Sequence, residues 1–253
     1  MLSYGRAVAW HAARQPDRPA VIHGDRPLPF AELDRRANRL ARAFAERGVG
    51  ADALVTIALP NSIAFYEACL AAWRLGATPQ PVSARLPVAE RRAIVALARP
   101  ALVVGAPADE RYEHPTLPAA FVPDPALSDA PLPDIVPRHV RAMTSGGSTG
   151  RPKLIVDLTP AHCDPEVADN GMTPRGVILV PGPLYHAGPF ITSWSQILCG
   201  GTAVLMERFD AEQALALIER HRVDWVLFVP TMMQRIWRLP EATRRRYDLS
   251  SLR

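Results

Sequence analysis

Apolar and polar positions along the chain alternate between two periods. Near the N-terminus, Ala20 to His23 and Leu28 to Phe30 are short apolar-rich runs on either side of Gly24-Asp25, a spacing that predicts a hairpin. Leu33, Ala37, Leu40, Ala41 and Phe44 then recur at helical spacing up to Gly48, the residue expected to end the helix. The apolar run Leu54 to Leu59 reads as a strand broken by Pro60-Asn61. Ser62 opens a helix through Leu75, with Ile63, Tyr66, Leu70 and Trp73 on one face and Gly76 as terminator. Ala77 to Val82 predicts a strand, Pro87 to Arg99 a helix and Ala101 to Val104 another strand. Strands and helices in this order predict an α/β fold with parallel-rich sheets flanked by helices.

The pattern dissolves between Gly105 and Pro137, where eight prolines predict a long surface connection without regular structure. On that reading residues 1–104 and 138–253 are two α/β lobes. Beyond the connection, Arg138 to Met143 and Leu154 to Val156 predict strands entering and leaving a glycine-rich loop. Val177 to Val180 and Thr202 to Met206 read as strands around a buried helix, Pro189 to Cys199. Asp210 and Gln213 open a helix through His221, Val223 to Val229 reads as a strand, and Thr231 opens a further helix. There is no internal sequence repeat.

Composition narrows the class. With 253 residues, 48% hydrophobic and 21% charged, the chain can bury a large core and is neither disordered nor fibrous. The net charge of +4 is spread over scattered arginines, the densest run being Arg244, Arg245 and Arg246, which reads as a solvated helix face. Few aromatics interleave with the basic residues, which argues against a nucleic-acid groove. Cys69, Cys163 and Cys199 are odd in number and far apart, so they suggest neither a disulfide framework nor a zinc cluster and fit a reducing cytoplasm. The N-terminus lacks the pattern of a secretion signal. Residues 176–206 carry no Asp, Glu, Lys or Arg, but three prolines and five glycines interrupt them, so they read as buried interior rather than as a transmembrane segment.

Of the 29 basic residues 28 are Arg; the single lysine, Lys153, ends the sequence Thr144-Ser145-Gly146-Gly147-Ser148-Thr149-Gly150-Arg151-Pro152-Lys153. Glycines let backbone amides approach phosphate oxygens, hydroxyls donate further bonds, and an ammonium is a compact charge that follows charge shifting between phosphates. The P-loop pattern fails because Pro152 precedes Lys153, and no G-x-G-x-x-G is present. Gly146 to Gly150 also fits G-x-S-x-G, which would make Ser148 a hydrolase nucleophile with His186 or His221 as base. An elbow of that kind must open into a helix, whereas Leu154-Ile155-Val156 reads as strand.

These ten residues resemble the phosphate-binding loop of the adenylate-forming enzymes, the superfamily of acyl-CoA synthetases and luciferases. Phe30-Ala31-Glu32-Leu33-Asp34 with Arg36-Ala37-Asn38, Leu59-Pro60-Asn61-Ser62 and Arg74-Leu75-Gly76-Ala77 are similar to the family's early motifs in order and spacing. Pro183-Leu184-Tyr185-His186 resembles its substrate-pocket motif, and Phe228-Val229-Pro230-Thr231 the neighbouring strand and helix. The wording of the loop and of Pro230-Thr231-Met232-Met233 is most similar to acid-CoA ligases of the fatty-acid and bile-acid type. Leu154 stands where relatives usually place Gly, which stiffens the exit from the loop, and Ala142 where they usually have a larger apolar residue.

The resemblance implies activation of a small-molecule carboxylic acid with ATP and Mg2+ to an acyl-AMP, followed by transfer to CoA. It places Thr144, Ser145, Gly146, Gly147, Ser148, Thr149, Gly150 and Lys153 around the phosphates, with Ser145 at the position of a magnesium-associated hydroxyl. His186 would stand with Tyr185, Gly188 and Met232 at the acyl pocket, and Lys153 and His186 would carry the catalytic roles. Without the resemblance, His186 in its uncharged surroundings would read as a satisfied core histidine. Met232 and Met233 read equally well as core filling, and Trp194 and Trp225 as packing residues. The resemblance further implies the N-terminal half of a large domain without its small C-terminal domain. A non-catalytic fragment that binds a nucleotide or a partner is the alternative, and oligomerisation stays open.

Overall fold

A computed structural model of the protein describes residues 1–107, 110–145, 152–169 and 171–253. The first strand, β1 (Leu2–Ser3), leads into α1 (Tyr4–Arg14), capped where the Ser3 hydroxyl accepts the Arg6 amide at 3.0 Å. A hairpin of β2 (Pro19–His23) and β3 (Arg26–Pro29) turns at Gly24, which has φ +60°. Next, α2 (Phe30–Ala45) buries the stripe Leu33, Ala37, Leu40, Ala41 and Phe44 that its period marks out. Then follow β4 (Leu54–Ile57), α3 (Ile63–Arg74), β5 (Thr78–Pro81), α4 (Val88–Ala98) and β6 (Leu102–Val104). Ser62 caps α3 by accepting the Phe65 amide, and Gly76 ends it in the left-handed conformation, φ +72°.

The remaining elements are β7 (Thr116–Leu117), β8 (Arg141–Ser145), β9 (Lys153–Asp157), β10 (His162–Cys163), β11 (Val177–Val180), α5 (Ala187–Leu198), β12 (Thr202–Leu205), α6 (Ala211–His221), β13 (Trp225–Val226), α7 (Pro230–Trp237) and α8 (Glu241–Arg244). Strands β13-β11-β12-β2-β3 form one sheet, parallel except for the hairpin, and β5-β4-β6-β7 form a second that is parallel throughout. This is the expected α/β class, with parallel-rich sheets flanked by helices. Strand β2 pairs with β12, so the segments before and after residues 105–137 contribute to one sheet. They also share a core, in which the Trp73 and Trp194 rings lie 4.6 Å apart. Trp194 is a packing residue there, and Trp225 packs partly buried against the same core.

Three expectations need correction. The connection 105–137 contains β7, parallel to β6, and is tied across α2: Asn38 Nδ2 donates to Asp129 O at 2.9 Å, Arg39 Nε to Leu127 O at 3.0 Å and Arg42 Nη1 to Ala130 O at 2.8 Å. The strand expected from Arg138 starts only at Arg141, because side chains take the preceding carbonyls. Thr78 Oγ1 donates to His139 O at 3.2 Å and Trp73 Nε1 to Val140 O at 2.8 Å. The strand expected over Val223 to Val229 shrinks to β13: the Val223 amide is taken by Ile218 O of α6 at 3.0 Å, and at Pro230 the chain has turned into α7.

Candidate functional site

A cavity of about 590 Å³ opens where the C-terminal end of β5 meets the loop that follows β11. In parallel α/β sheets the carboxyl ends of strands are where ligands settle. Pro81, Val82 and Ser83 line it from the end of β5, and Leu86, Ala89, Glu90, Ala93 and Ile94 from α4 and its lead-in. Thr144, Ser145 and Pro152 come from the β8–β9 ribbon, and Tyr185 and His186 from the approach to α5. The wall is mostly apolar, with hydroxyls from Ser83, Thr144, Ser145 and Tyr185 and, among the described residues, a single carboxylate, Glu90.

The ribbon accounts for the root of the glycine-rich loop. Ser145 faces Lys153 across β8 and β9, and Thr144 faces Leu154. Directly opposed residues of an antiparallel pair project from the same face, so Ser145 and Lys153 stand side by side with Lys153 exposed. Gly146, Gly147, Ser148, Thr149 and Gly150 lie outside the described residues. His186 is exposed at the N-cap of α5, and its ring lies 4.4 Å from that of Tyr185. The satisfied core position that its uncharged neighbours alone would assign is therefore not the one it occupies. Gly188 and Met232 do not line this cavity. A Cβ on Gly188, inside α5, would come within 2.8 Å of Leu227 Cδ2, and one on Gly182 within 3.9 Å of Met232 Cε, so Gly188 sits against Leu227 and Met232 lies beside the start of the loop bearing Tyr185. Met233 is exposed rather than core.

Residues that sequence reasoning left without a role hold these groups in place. Asn61 is buried and donates through Nδ2 to Gly182 O and Met206 O, each at 2.9 Å, while its Oδ1 accepts the Leu184 amide at 2.9 Å. It thereby ties the segment leading into Tyr185 and His186 to the end of β12. Asn61→Ala is expected to destabilise the fold by about 1–3 kcal/mol, because it leaves one amide and two carbonyls without their partner, as read from the midpoint of urea unfolding. Asn61→Asp, which keeps only the acceptor, should be no better. Behind α4, Arg91 Nε donates to Glu110 at 3.0 Å and Arg91 Nη1 to Ala84 O at 3.1 Å, and Tyr112 donates to Glu110. Hydrogen bonding from Arg91 holds the Glu110 carboxyl below its usual range. The pair anchors the helix whose outer face forms the cavity wall. Gln80, fully buried on β5, bonds to both Thr56 and Thr144. Asn61 is a motif member and Gln80 a polar residue between prolines, while Arg91, Glu110 and Tyr112 lie in charged stretches that give no signal of their pairing.

The described lining carries hydroxyls and one carboxylate, Glu90, but no lysine or arginine, and Lys153, at the closing rung of the ribbon, is not among the lining residues. Among the described residues, no three His, Cys, Asp or Glu side chains gather into a metal site. Mg2+ commonly keeps several waters and binds through few protein groups plus substrate phosphates. Ser145 fits as one such group for a cation that arrives on a nucleotide. The hydrolase alternative lacks its helix: β9 follows the loop where a nucleophile elbow needs a helix N-terminus. Ser148 itself lies outside the described residues, and His221 stands on α6, where burial lowers its pKa, away from the cavity.

The family described as AMP-binding enzyme matches residues 8–253. Feruloyl-CoA synthase from an Amycolatopsis species is 33% identical over 96% of this chain and 51% of its own length. Pyochelin synthase PchD from Pseudomonas aeruginosa is 31% identical over 99% of this chain and 51% of its own. The inhibitor-bound N-terminal domain of FACL13 from Mycobacterium tuberculosis has the same fold, with a TM-score of 0.85 over 100% of this chain and 69% of that one at 22% identity. The chain spans about half the length of the curated relatives it matches.

Proposed function

The chain belongs to the AMP-binding enzyme family, and on that premise we propose that it supplies the nucleotide-phosphate and acid-binding part of an acid-CoA ligase. A carboxylate oxygen attacks the α-phosphorus of ATP, the bond to pyrophosphate breaks, and acyl-AMP forms. The CoA thiol then attacks the acyl carbon, losing its proton, and AMP departs. On this reading Thr144, Ser145, Gly146, Gly147, Ser148, Thr149, Gly150 and Lys153 are the residues that take the β- and γ-phosphates. They hold and neutralise charge, which this step needs more than covalent help. Mg2+, bound with the nucleotide, supplies further charge neutralisation, with Ser145 as its protein hydroxyl. His186 and Tyr185 border the acid, with Gly188 following them in α5 and Met232 beside Gly182 at the start of their loop. The carrying observation is that the ends of the β8–β9 ribbon and the Tyr185-His186 turn face one cavity of about 590 Å³.

Calorimetry with MgATP and acid-dependent pyrophosphate exchange test the reading. Expected are saturable MgATP binding and exchange driven by a carboxylic acid, with a panel of ferulate-like and alkyl acids sorting the acid class. Binding without exchange for any acid supports a non-catalytic nucleotide-binding fragment, and absence of both removes the phosphate role. A reducing cytoplasm is the compartment we propose. Supporting it, the three cysteines are free, and among the described residues no helix is long and apolar enough to cross a membrane.

A further inference from the structure

Two buried polar side chains on adjacent strands, Thr56 and Gln80, connect to Thr144 at the root of the loop. Thr56 on β4 and Gln80 on β5 are both fully buried. Thr56 Oγ1 donates to Gln80 Oε1 at 2.6 Å, and Gln80 Nε2 donates to Thr144 Oγ1 at 3.4 Å. The first distance is typical of an O–H···O bond and shorter than N–H···O bonds run, so the carbonyl side of the amide faces Thr56 and its NH2 faces Thr144.

The direction of this relay has a consequence for the cavity. A hydroxyl that accepts from Gln80 keeps its own proton free, and Thr144 lines the cavity. We propose that Thr56 and Gln80 are positioning residues that fix Thr144 as an outward hydrogen-bond donor, so that this end of the cavity selects a ligand presenting acceptor oxygens only, such as a phosphate. The inference rests on the reading of the cavity as a nucleotide-phosphate site. An amide of the opposite orientation would turn the Thr144 proton inward and leave a lone pair facing an anion.

The test is a double-mutant cycle on MgATP affinity with this 253-residue chain. Gln80→Met removes the relay at similar volume. Gln80→Glu replaces the donor with an acceptor and draws the Thr144 proton inward. Both are expected to raise Kd, by about 3- to 10-fold, the size of one hydrogen bond, with Glu at least as damaging as Met. Thr144→Val should do the same and Thr144→Ser should retain affinity. Adding Gln80→Met to Thr144→Val should change nothing further, because the relay acts only through that hydroxyl. A merely structural role for Gln80 predicts instead that the two effects multiply, or that Gln80→Met leaves Kd unchanged; either overturns the relay while MgATP binding by the unaltered chain keeps the functional reading intact. Absence of MgATP binding by the unaltered chain overturns both. Urea unfolding of each variant excludes loss of fold, and Thr56→Val, one step further from the ligand, gives a second route with a smaller rise in Kd.

Discussion

Replacing Lys153 with Ala is expected to raise the Kd for MgATP by about 10- to 100-fold, because it removes a charge-assisted hydrogen bond of roughly 1.5–3 kcal/mol. The geometry behind the expectation is the register of the β8–β9 ribbon, which sets Lys153 beside Ser145 on the same face at the closing rung of the loop. Acid-dependent pyrophosphate exchange should fall at least as far, while affinity for the acid itself stays within a factor of about two, the scale of an interaction not made in that complex. Lys153→Arg separates charge from shape. A guanidinium keeps the positive charge and recovers much of the nucleotide affinity, but its planar fork does not follow charge moving between phosphates as an ammonium does, so exchange should recover less than binding. Equal Kd and equal exchange in Lys153→Ala and the unaltered chain would remove Lys153 from the site. The chain has 28 arginines and no other lysine, so no neighbouring ammonium substitutes for the lost one.

The elements legible in the sequence were those whose apolar spacing also decides their burial. The stripe on α2, the hairpin turning at Gly24 and the helix between Ser62 and Gly76 were readable because burial, capping and termination agreed residue by residue. What was not legible depends on partners distant in the chain. The start of β8 moves to Arg141 because Trp73 and Thr78, more than 60 residues earlier, take the carbonyls before it, and β7 exists only because β6 offers an edge to pair with. The site divides in the same way. Thr144, Ser145, Tyr185 and His186 were readable as motif members and do meet at one cavity. Asn61 had a motif but no role, and Gln80 had neither, since a lone amide between prolines shows only that a buried partner must exist and not which one.

Loss of the carboxylate at Asp34 is expected to be strongly destabilising. Arg74 ends α3 deep in the core, where Nη1 donates to Asp34 O at 2.6 Å and to Asn38 Oδ1, and Nη2 bonds the Asp34 carboxylate. The side chains of Arg74 and Asp34 are 6% and 16% exposed, so hydration does little to compensate the guanidinium if its partner is removed. Burial already pulls the Arg74 pKa below its ordinary value, and Asp34 acts against that pull. Breaking one side of such a pair costs about 3–5 kcal/mol, which for a chain of this size corresponds to a melting point lowered by roughly 6–20 °C. Arg74→Met should be milder. Its stem preserves the packing against Gly5, and the carboxylate it leaves behind lies nearer solvent. Asp34→Ala combined with Arg74→Met should therefore be more stable than Asp34→Ala alone, a coupling that only a direct interaction produces. An Asp34→Ala protein that melts within about 2 °C of the unaltered chain, a shift of less than about 1 kcal/mol, would refute the pairing as a determinant of stability. The three residues lie in two of the early segments that resemble family motifs, so the expected outcome would give that resemblance a physical cause. They join α2 to α3, and they do so without touching the cavity itself.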